Sequence, residues 1–177
     1  TAVMAGSYLF LMEFARKGAV QHGLKSPEQW IYFPLVLTVV VAGVTGGVTA
    51  AGTVARYAIG LPAGIATSMV FVAHARSLSG TARFMATLAA VSMAAYTVAA
   101  GAIVPPGTFW PANSINHAWF VELTGAPIQL LRGLLACVLT FSLWAIWGEL
   151  LSREIDSKRY TAHLRRQFFW TVAAMVT

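Results

Sequence analysis

Trp30-Ile-Tyr-Phe-Pro-Leu-Val-Leu-Thr-Val-Val-Val-Ala-Gly-Val-Thr-Gly-Gly-Val-Thr-Ala-Ala51 contains no charged residue. A helix needs about 20 mostly apolar residues to cross the hydrocarbon core of a bilayer. This stretch therefore reads as a transmembrane helix, and similar stretches recur along the 177 residues. They run from the chain start to about Phe14, from about Tyr57 to Ala75, from Phe84 to Val104, and from Pro127 to Leu151. A further one starts at Phe168 and has about half a span before Thr177. The first stretch is short and has no leading methionine, so residues are expected to be missing at both ends. The predicted fold is all-α: a polytopic transmembrane bundle of five spans plus the start of a sixth. Residues 1–151 form the bundle, 152–167 a basic cytoplasmic connector, and 168–177 the next helix.

Composition agrees with that reading. The chain is 58% hydrophobic and 10% charged, with a mean hydropathy of +0.69. A soluble domain has roughly 45–50% apolar and about 25% charged residues. An ordinary soluble globule, a disordered tail and a nucleic-acid-binding domain are excluded. The net charge of +6 comes from 12 Lys and Arg against only 6 Asp and Glu. The basic pI thus reflects scarce acids, and the cations sit in separate clusters with no groove for a phosphate backbone. A lone Cys137 excludes an internal disulfide framework and a structural thiolate zinc site.

The charges between spans predict orientation. Arg16, Lys17 and Lys25 follow the first span, Arg76 and Arg83 the third, and Arg153, Lys158, Arg159, Arg165 and Arg166 the fifth. The opposite side has only Arg56, because 105–126 contains no Lys or Arg. Positive residues mark the cytoplasmic side. Residue 1 and the 105–126 loop are therefore expected outside, in a bacterial inner membrane. The cations follow the first apolar stretch and do not precede it, which argues against a signal peptide. The continuous apolar runs argue against a β-barrel.

Small residues recur every four positions at Gly43, Gly47 and Ala51, and again at Ala86, Ala90 and Ala94. Such faces let helix backbones approach closely. They serve either packing within the chain or a homodimer seam. Gly60, Pro62 and Gly64 predict a bend or a helix start near Pro62. The aromatic residues near span ends fit interfacial belts.

The outer loop carries most of the chemistry. Pro105 and Pro106 end the fourth span, and Asn113 or Ser114 can cap a short interfacial helix through about Leu123. Thr124-Gly125 ends that helix and Pro127 opens the next span. The product is a lid over the outer end of the bundle. Trp110, Asn113, Asn116, His117, Trp119 and Glu122 are candidates to line an outward-facing ligand pocket. The competing reading is an amphipathic connector with ordinary caps. Arg132 lies five residues into the fifth span, ~7–8 Å below its start. An ionisable residue there marks function and calls for a partner. Glu122 is the expected partner, with ligand contact or snorkelling as alternatives. Glu13 with Arg16, and Glu149 with Arg153, read as interfacial salt bridges.

Catalysis is not expected. No metal-spaced His/Cys/carboxylate cluster, phosphate loop or nucleophile–base set is present. A haem subunit needs axial histidines at one depth. His22, His74 and His163 are expected inside and His117 outside, about a 30 Å hydrocarbon core away, so His117 cannot share a haem with the others. A haem shared with a missing helix stays open.

Three stretches carry a resemblance. Tyr8-Leu-Phe-Leu-Met-Glu-Phe-Ala-Arg-Lys17, Arg56-Tyr-Ala-Ile-Gly-Leu-Pro-Ala-Gly64 and Phe109-Trp-Pro-Ala-Asn-Ser114, continuing to Thr124-Gly-Ala-Pro-Ile-Gln-Leu-Leu-Arg132, resemble the multi-pass N-terminal membrane sensory regions of bacterial signalling proteins. The resemblance covers most of 8–151. It implies an input domain ahead of PAS, histidine kinase or diguanylate cyclase modules, none of whose motifs occur in this chain. It carries over no ligand to any position. The alternative class is an integral subunit of a redox (haem or quinone) or transport complex.

Overall fold

The computed structural model describes residues 2–107, 110–154, 166–167 and 169–170. Among them the chain is helical. The elements are α1 (Ala2–Gln21), α2 (Tyr32–Ala55), α3 (Leu61–Arg76), α4 (Gly80–Thr97), α5 (His117–Thr124) and α6 (Ile128–Glu154). A 3-10 turn, Gln29–Ile31, precedes α2, and π-helical turns occupy Arg56–Gly60 and Val98–Ala102. The connector 152–167 and the start of a sixth helix at 168–177 lie almost wholly outside the described residues.

Three helical runs are long and apolar enough to cross a membrane: Gln29–Arg76, Gly80–Ala102 and Ile128–Leu151. This is fewer than the five spans expected, for two reasons. The first expected span belongs to α1, whose second half contains Glu13, Arg16 and Lys17. The second and third expected spans form one run of 48 residues, because no loop separates them. The break expected around 52–56 lies instead at Gly47, whose φ of 76° and ψ of −174° depart from helical values. Only glycine enters that region without a Cβ penalty. A Cβ built on Gly43 would lie 3.3 Å from the Ala51 Cβ. Eight residues of straight helix would separate those positions by about 12 Å, so the axis turns sharply at Gly47.

Neighbour contacts fix the directions. Phe14 and Phe71 have ring centroids 6.1 Å apart, and His22 and His74 5.8 Å, so α1 and α3 run parallel. The Ser68 hydroxyl donates to the Ala90 carbonyl at 2.9 Å, and Gly64 faces Thr97, so α3 and α4 are antiparallel. Ala75, Ala86 and Ile146 cluster at one end, and Ala99, Ile103 and Ile128 at the other, placing α6 antiparallel to α4. The helices that pack most extensively are α3 with α4, α4 with α6, and α1 with α3. Glu13 ties α1 to α2. Arg16 donates to it twice, at 2.7 and 2.8 Å, and the Tyr32 hydroxyl donates at 2.7 Å.

Small residues build the core. Ala55, Ala63, Ala82, Ala86, Ala89 and Ala90 are buried. Parts of both small-residue stripes pack inside the chain: Ala86 and Ala90 are buried while Ala94 is exposed, and Gly43 and Ala51 face each other across the Gly47 bend. Many large apolar side chains lie outside instead, with Val44 83% and Phe10 81% exposed, while a few such as Ile59 and Ile128 are fully buried. Exposed apolar surface on this scale is compatible with a lipid environment and unfavourable in water.

The α3–α4 contact is close enough to be tested. A Cβ on Gly64 would come within 2.1 Å of the Thr97 hydroxyl oxygen and 2.8 Å of its Cβ. Thr97 is buried and donates to Met93, so it cannot easily move aside. Gly64→Val is expected to destabilise the bundle by about 1–3 kcal/mol, the usual cost of overpacking. Gly133→Ala, where a Cβ meets nothing within 4 Å, is expected to be neutral or slightly stabilising. Thermal denaturation of the two variants in detergent compares them, and equal midpoints would contradict the packing.

Candidate functional site

The two π-turns meet at the end of the bundle where Phe120 of α5 packs against Ala99 and Ile103. In a π-turn each hydrogen bond spans one residue more than in an α-helix, a geometry often found at functional sites. One π-turn directly precedes Leu61-Pro62, where proline supplies no N–H to the ladder. The other ends at Ile103, which is extended (φ −90°, ψ 98°) just before Pro105-Pro106. Side chains from other helices satisfy the carbonyls around this second turn. Arg132 on α6 donates Nε and Nη2 to the Ala99 carbonyl at 2.9 and 2.7 Å, and Nη2 to the Ile103 carbonyl at 2.5 Å. Arg56, in the first π-turn, donates Nη1 to the Ala100 carbonyl at 3.1 Å. The Tyr57 hydroxyl donates to the Ala102 carbonyl at 3.4 Å.

The short helix forms a cap here, as expected, but its start is shifted. Asn116 caps α5, in place of Asn113 or Ser114. Its Oδ1 accepts from the Ala118 and Trp119 N–H groups at 3.0 and 3.1 Å, while Nδ2 donates to the Ala112 and Asn113 carbonyls. Such a cap contributes about 0.5–2 kcal/mol relative to alanine. Asn116 wins because its backbone pairs with Val104 and the His117 N–H bonds the Val104 carbonyl at 3.0 Å. Those contacts fix the helix origin against the end of α4. Gly125, left-handed at φ 70°, ends α5 after Thr124. Phe120 packs on the Ala99, Ile103 and Ile128 cluster.

The expected site residues divide into two groups. Asn116, His117 and Arg132 converge, with Arg132 Nη2 3.5 Å from His117 Nε2. Trp110, Asn113, Trp119 and Glu122 are exposed. The expected Glu122–Arg132 pair does not form, because Arg132 spends its donors on backbone carbonyls that the π-turn leaves without helical partners. The Glu13–Arg16 pair forms, and the side chain of Arg153, the expected partner of Glu149, lies outside the described residues.

Sequence reasoning missed Arg56, Tyr57, Tyr8 and Tyr96 as part of this end. Arg56, Tyr96 and Arg132 all act electrostatically on the Tyr8 hydroxyl. The Tyr8 ring sits over Gly60, where a Cβ would come within 3.1 Å of its Cζ. The available signal was Arg56, the one cation that the charge pattern sets apart from the others, four residues before Gly60 and six before Pro62. A cleft of about 480 Å³ also opens between the two arms of α2 and Pro106-Gly107, with Thr45, Thr49 and Thr53 among its lining. No set of three metal-ligating side chains gathers among the described residues.

No family model, curated protein or solved structure matches the chain.

His117 gives this end a pH dependence. Burial, and then the positive charges of Arg132 and Arg56, push its imidazole below the ordinary 6.5, against a hydrogen bond with the Ile103 backbone. A lowered folded-state value means that the unfolded chain takes up the proton first. Stability is fully present above pH 6.5, falls as pH drops through it, and levels off below the folded-state value. Thermal midpoints between pH 8 and 5 are expected to decline across that window, and less so in His117→Gln. Identical pH profiles for the two proteins would contradict this electrostatic placement.

Proposed function

We propose that the chain is the membrane-embedded input domain of a bacterial signal-transduction protein, detecting a signal at the outer face or within the bilayer. In this reading it is a multi-pass inner-membrane protein with five passes. The 48-residue run folds at Gly47 into two of them and α1 supplies another. The parallel course of α1 and α3 and the antiparallel courses of α4 and α6 support the alternation that five passes need. The charge distribution supports the cap facing outward.

The observation that carries the sensory reading is the Arg132 bridge. One guanidinium joins α6 to the end of α4 and approaches His117 in the cap. A signal that binds one arrangement of these groups better than another shifts the helices together. The resemblance to sensory regions of PAS, histidine kinase and diguanylate cyclase proteins supports a cytoplasmic output module, with pairing into a homodimer as the means of relay.

The second reading, a redox or transport subunit, draws on the His22–His74 pair, whose rings lie 5.8 Å apart at the opposite end. A Soret band lost on changing either histidine would favour it.

Two measurements test the first reading. Membrane-impermeant maleimide applied to intact cells is expected to label Ser114→Cys and spare Lys25→Cys, both in a Cys137→Ser background. The reverse pattern would contradict the orientation. Reading the gene past Thr177 is expected to reveal an in-frame kinase or cyclase module, and a stand-alone small membrane protein would contradict the signalling assignment.

A further inference from the structure

Five side chains from five elements of the chain gather at the capped end: Tyr8 from α1, Arg56 from the first π-turn, Tyr96 from α4, His117 from α5 and Arg132 from α6. The groups that act electrostatically on Arg132 are Arg56, Tyr96 and Tyr8, and those that act on His117 are Arg132 and Arg56. Arg132 and Arg56 donate to the carbonyls of consecutive residues, Ala99 and Ala100, so the two guanidinium groups share one neighbourhood. Neither has a carboxylate partner among the described residues, where the ion pairs join Glu13 to Arg16 and Lys17 at the opposite end.

Like charges brought together in apolar surroundings repel and lose solvation. Carbonyl dipoles offset part of this, but they do not neutralise a net charge. Arg132 uses Nε and Nη2 on the Ala99 and Ile103 carbonyls, leaving Nη1 without an acceptor among the described residues. Arg56 uses Nη1 on Ala100, leaving Nε and Nη2. The Tyr8 and Tyr96 hydroxyls have no hydrogen-bond partner among the described residues either. No fully buried side-chain nitrogen or oxygen lacks a partner there, so these spare groups face accessible space. The cluster therefore offers two positive charges and several spare N–H and O–H donors. Its complement is a group with negative charge and several acceptor oxygens, which guanidinium groups bind well because their donors lie in a fixed planar fork.

We propose that this cluster is an oxyanion site, taking a carboxylate or phosphate group between Arg56 and Arg132, with the Tyr8 and Tyr96 hydroxyls donating to its oxygens. The proposal rests on the reading of this end as the ligand pocket and names the chemical class of the ligand. The same chemistry comes from two sources: a dissolved oxyanion, or the headgroup of an anionic amphiphile already in the bilayer. A bound oxyanion offsets the Arg56–Arg132 repulsion, and so it favours the closed arrangement of the two π-turns and the cap.

The test uses the chain in phosphatidylcholine nanodiscs, with inorganic phosphate, acetate, dodecanoate and phosphatidylglycerol as probes and dodecanol as the uncharged counterpart of dodecanoate. At least one anionic probe is expected to bind and to raise the thermal midpoint, while dodecanol does neither. Effects of phosphate and acetate point to the dissolved source, and effects of dodecanoate or phosphatidylglycerol alone point to the bilayer source. Arg56→Gln and Tyr96→Phe are each expected to weaken binding, by tenfold or more for Arg56→Gln, with partial recovery in Arg56→Lys. Arg132 is kept intact because it also holds the backbone. An unchanged circular dichroism spectrum confirms that each variant is folded. The proposal is overturned if no anionic probe binds, if dodecanol matches dodecanoate, or if folded Arg56→Gln binds as the parent chain does. Binding is read without any output module. Loss of the site therefore appears in the titration, whereas failure of the sensory reading appears in the response of the intact signalling protein.

Discussion

Backbone carbonyls without helical partners must find donors in surroundings that contain little water, and that constraint organises one end of this molecule. The turn Val98–Ala102 and the extended Ile103 leave such carbonyls, and Arg132 answers two of them with a single side chain. An unmet polar group in an apolar environment costs several kcal/mol, so the geometry of α6 relative to α4 is tightly held at this point. Arg56 and Tyr57 answer two more, which ties the α2–α3 run to the same turn. Two separate segments thereby converge on five residues of backbone, 99–103.

The remainder of the bundle relies on close approach. Gly64 against Thr97 and a row of buried alanines let α3 and α4 pack backbone to backbone, as helices do where lipid replaces water as the competing solvent. Many large apolar side chains face outward, the reverse of a soluble protein. The two ends differ in chemistry. At the His22–His74 end two of the cations have a carboxylate partner, since Glu13 is shared by Arg16, Lys17 and the Tyr32 hydroxyl. At the capped end Arg56 and Arg132 meet only dipoles among the described residues. That contrast is the physical basis for placing recognition at the cap and anchoring at the other end.

The helical class and the apolar runs were legible because hydropathy over some 20 residues is a strong, local signal. The cap was legible for the same reason: Pro105-Pro106 and Thr124-Gly125 are local punctuation, and α5 ends where they put it. The bend was not, because Gly43, Gly46, Gly47 and Gly52 all permit one and only tertiary packing selects Gly47. The partner of Arg132 was misjudged because charge complementarity points to Glu122, while the actual acceptors are carbonyls exposed by a π-turn, which has no distinct residue signature. Asn113, Ser114 and Asn116 are all competent caps, and the Val104 pairing that decides among them comes from 12 residues away in sequence. Tyr8 and Tyr96 lie on helices distant from the loop, so no spacing rule joins them to it.

The most direct measurement is hydrogen–deuterium exchange on the chain in nanodiscs, comparing the parent with Arg132→Gln. If this guanidinium holds the end of α4 and the cap, amides from Val98 to Val104 and from His117 to Thr124 are expected to exchange markedly faster in the variant, with α1 and the second half of α3 unchanged. Equal protection of those two segments in both proteins would contradict the account.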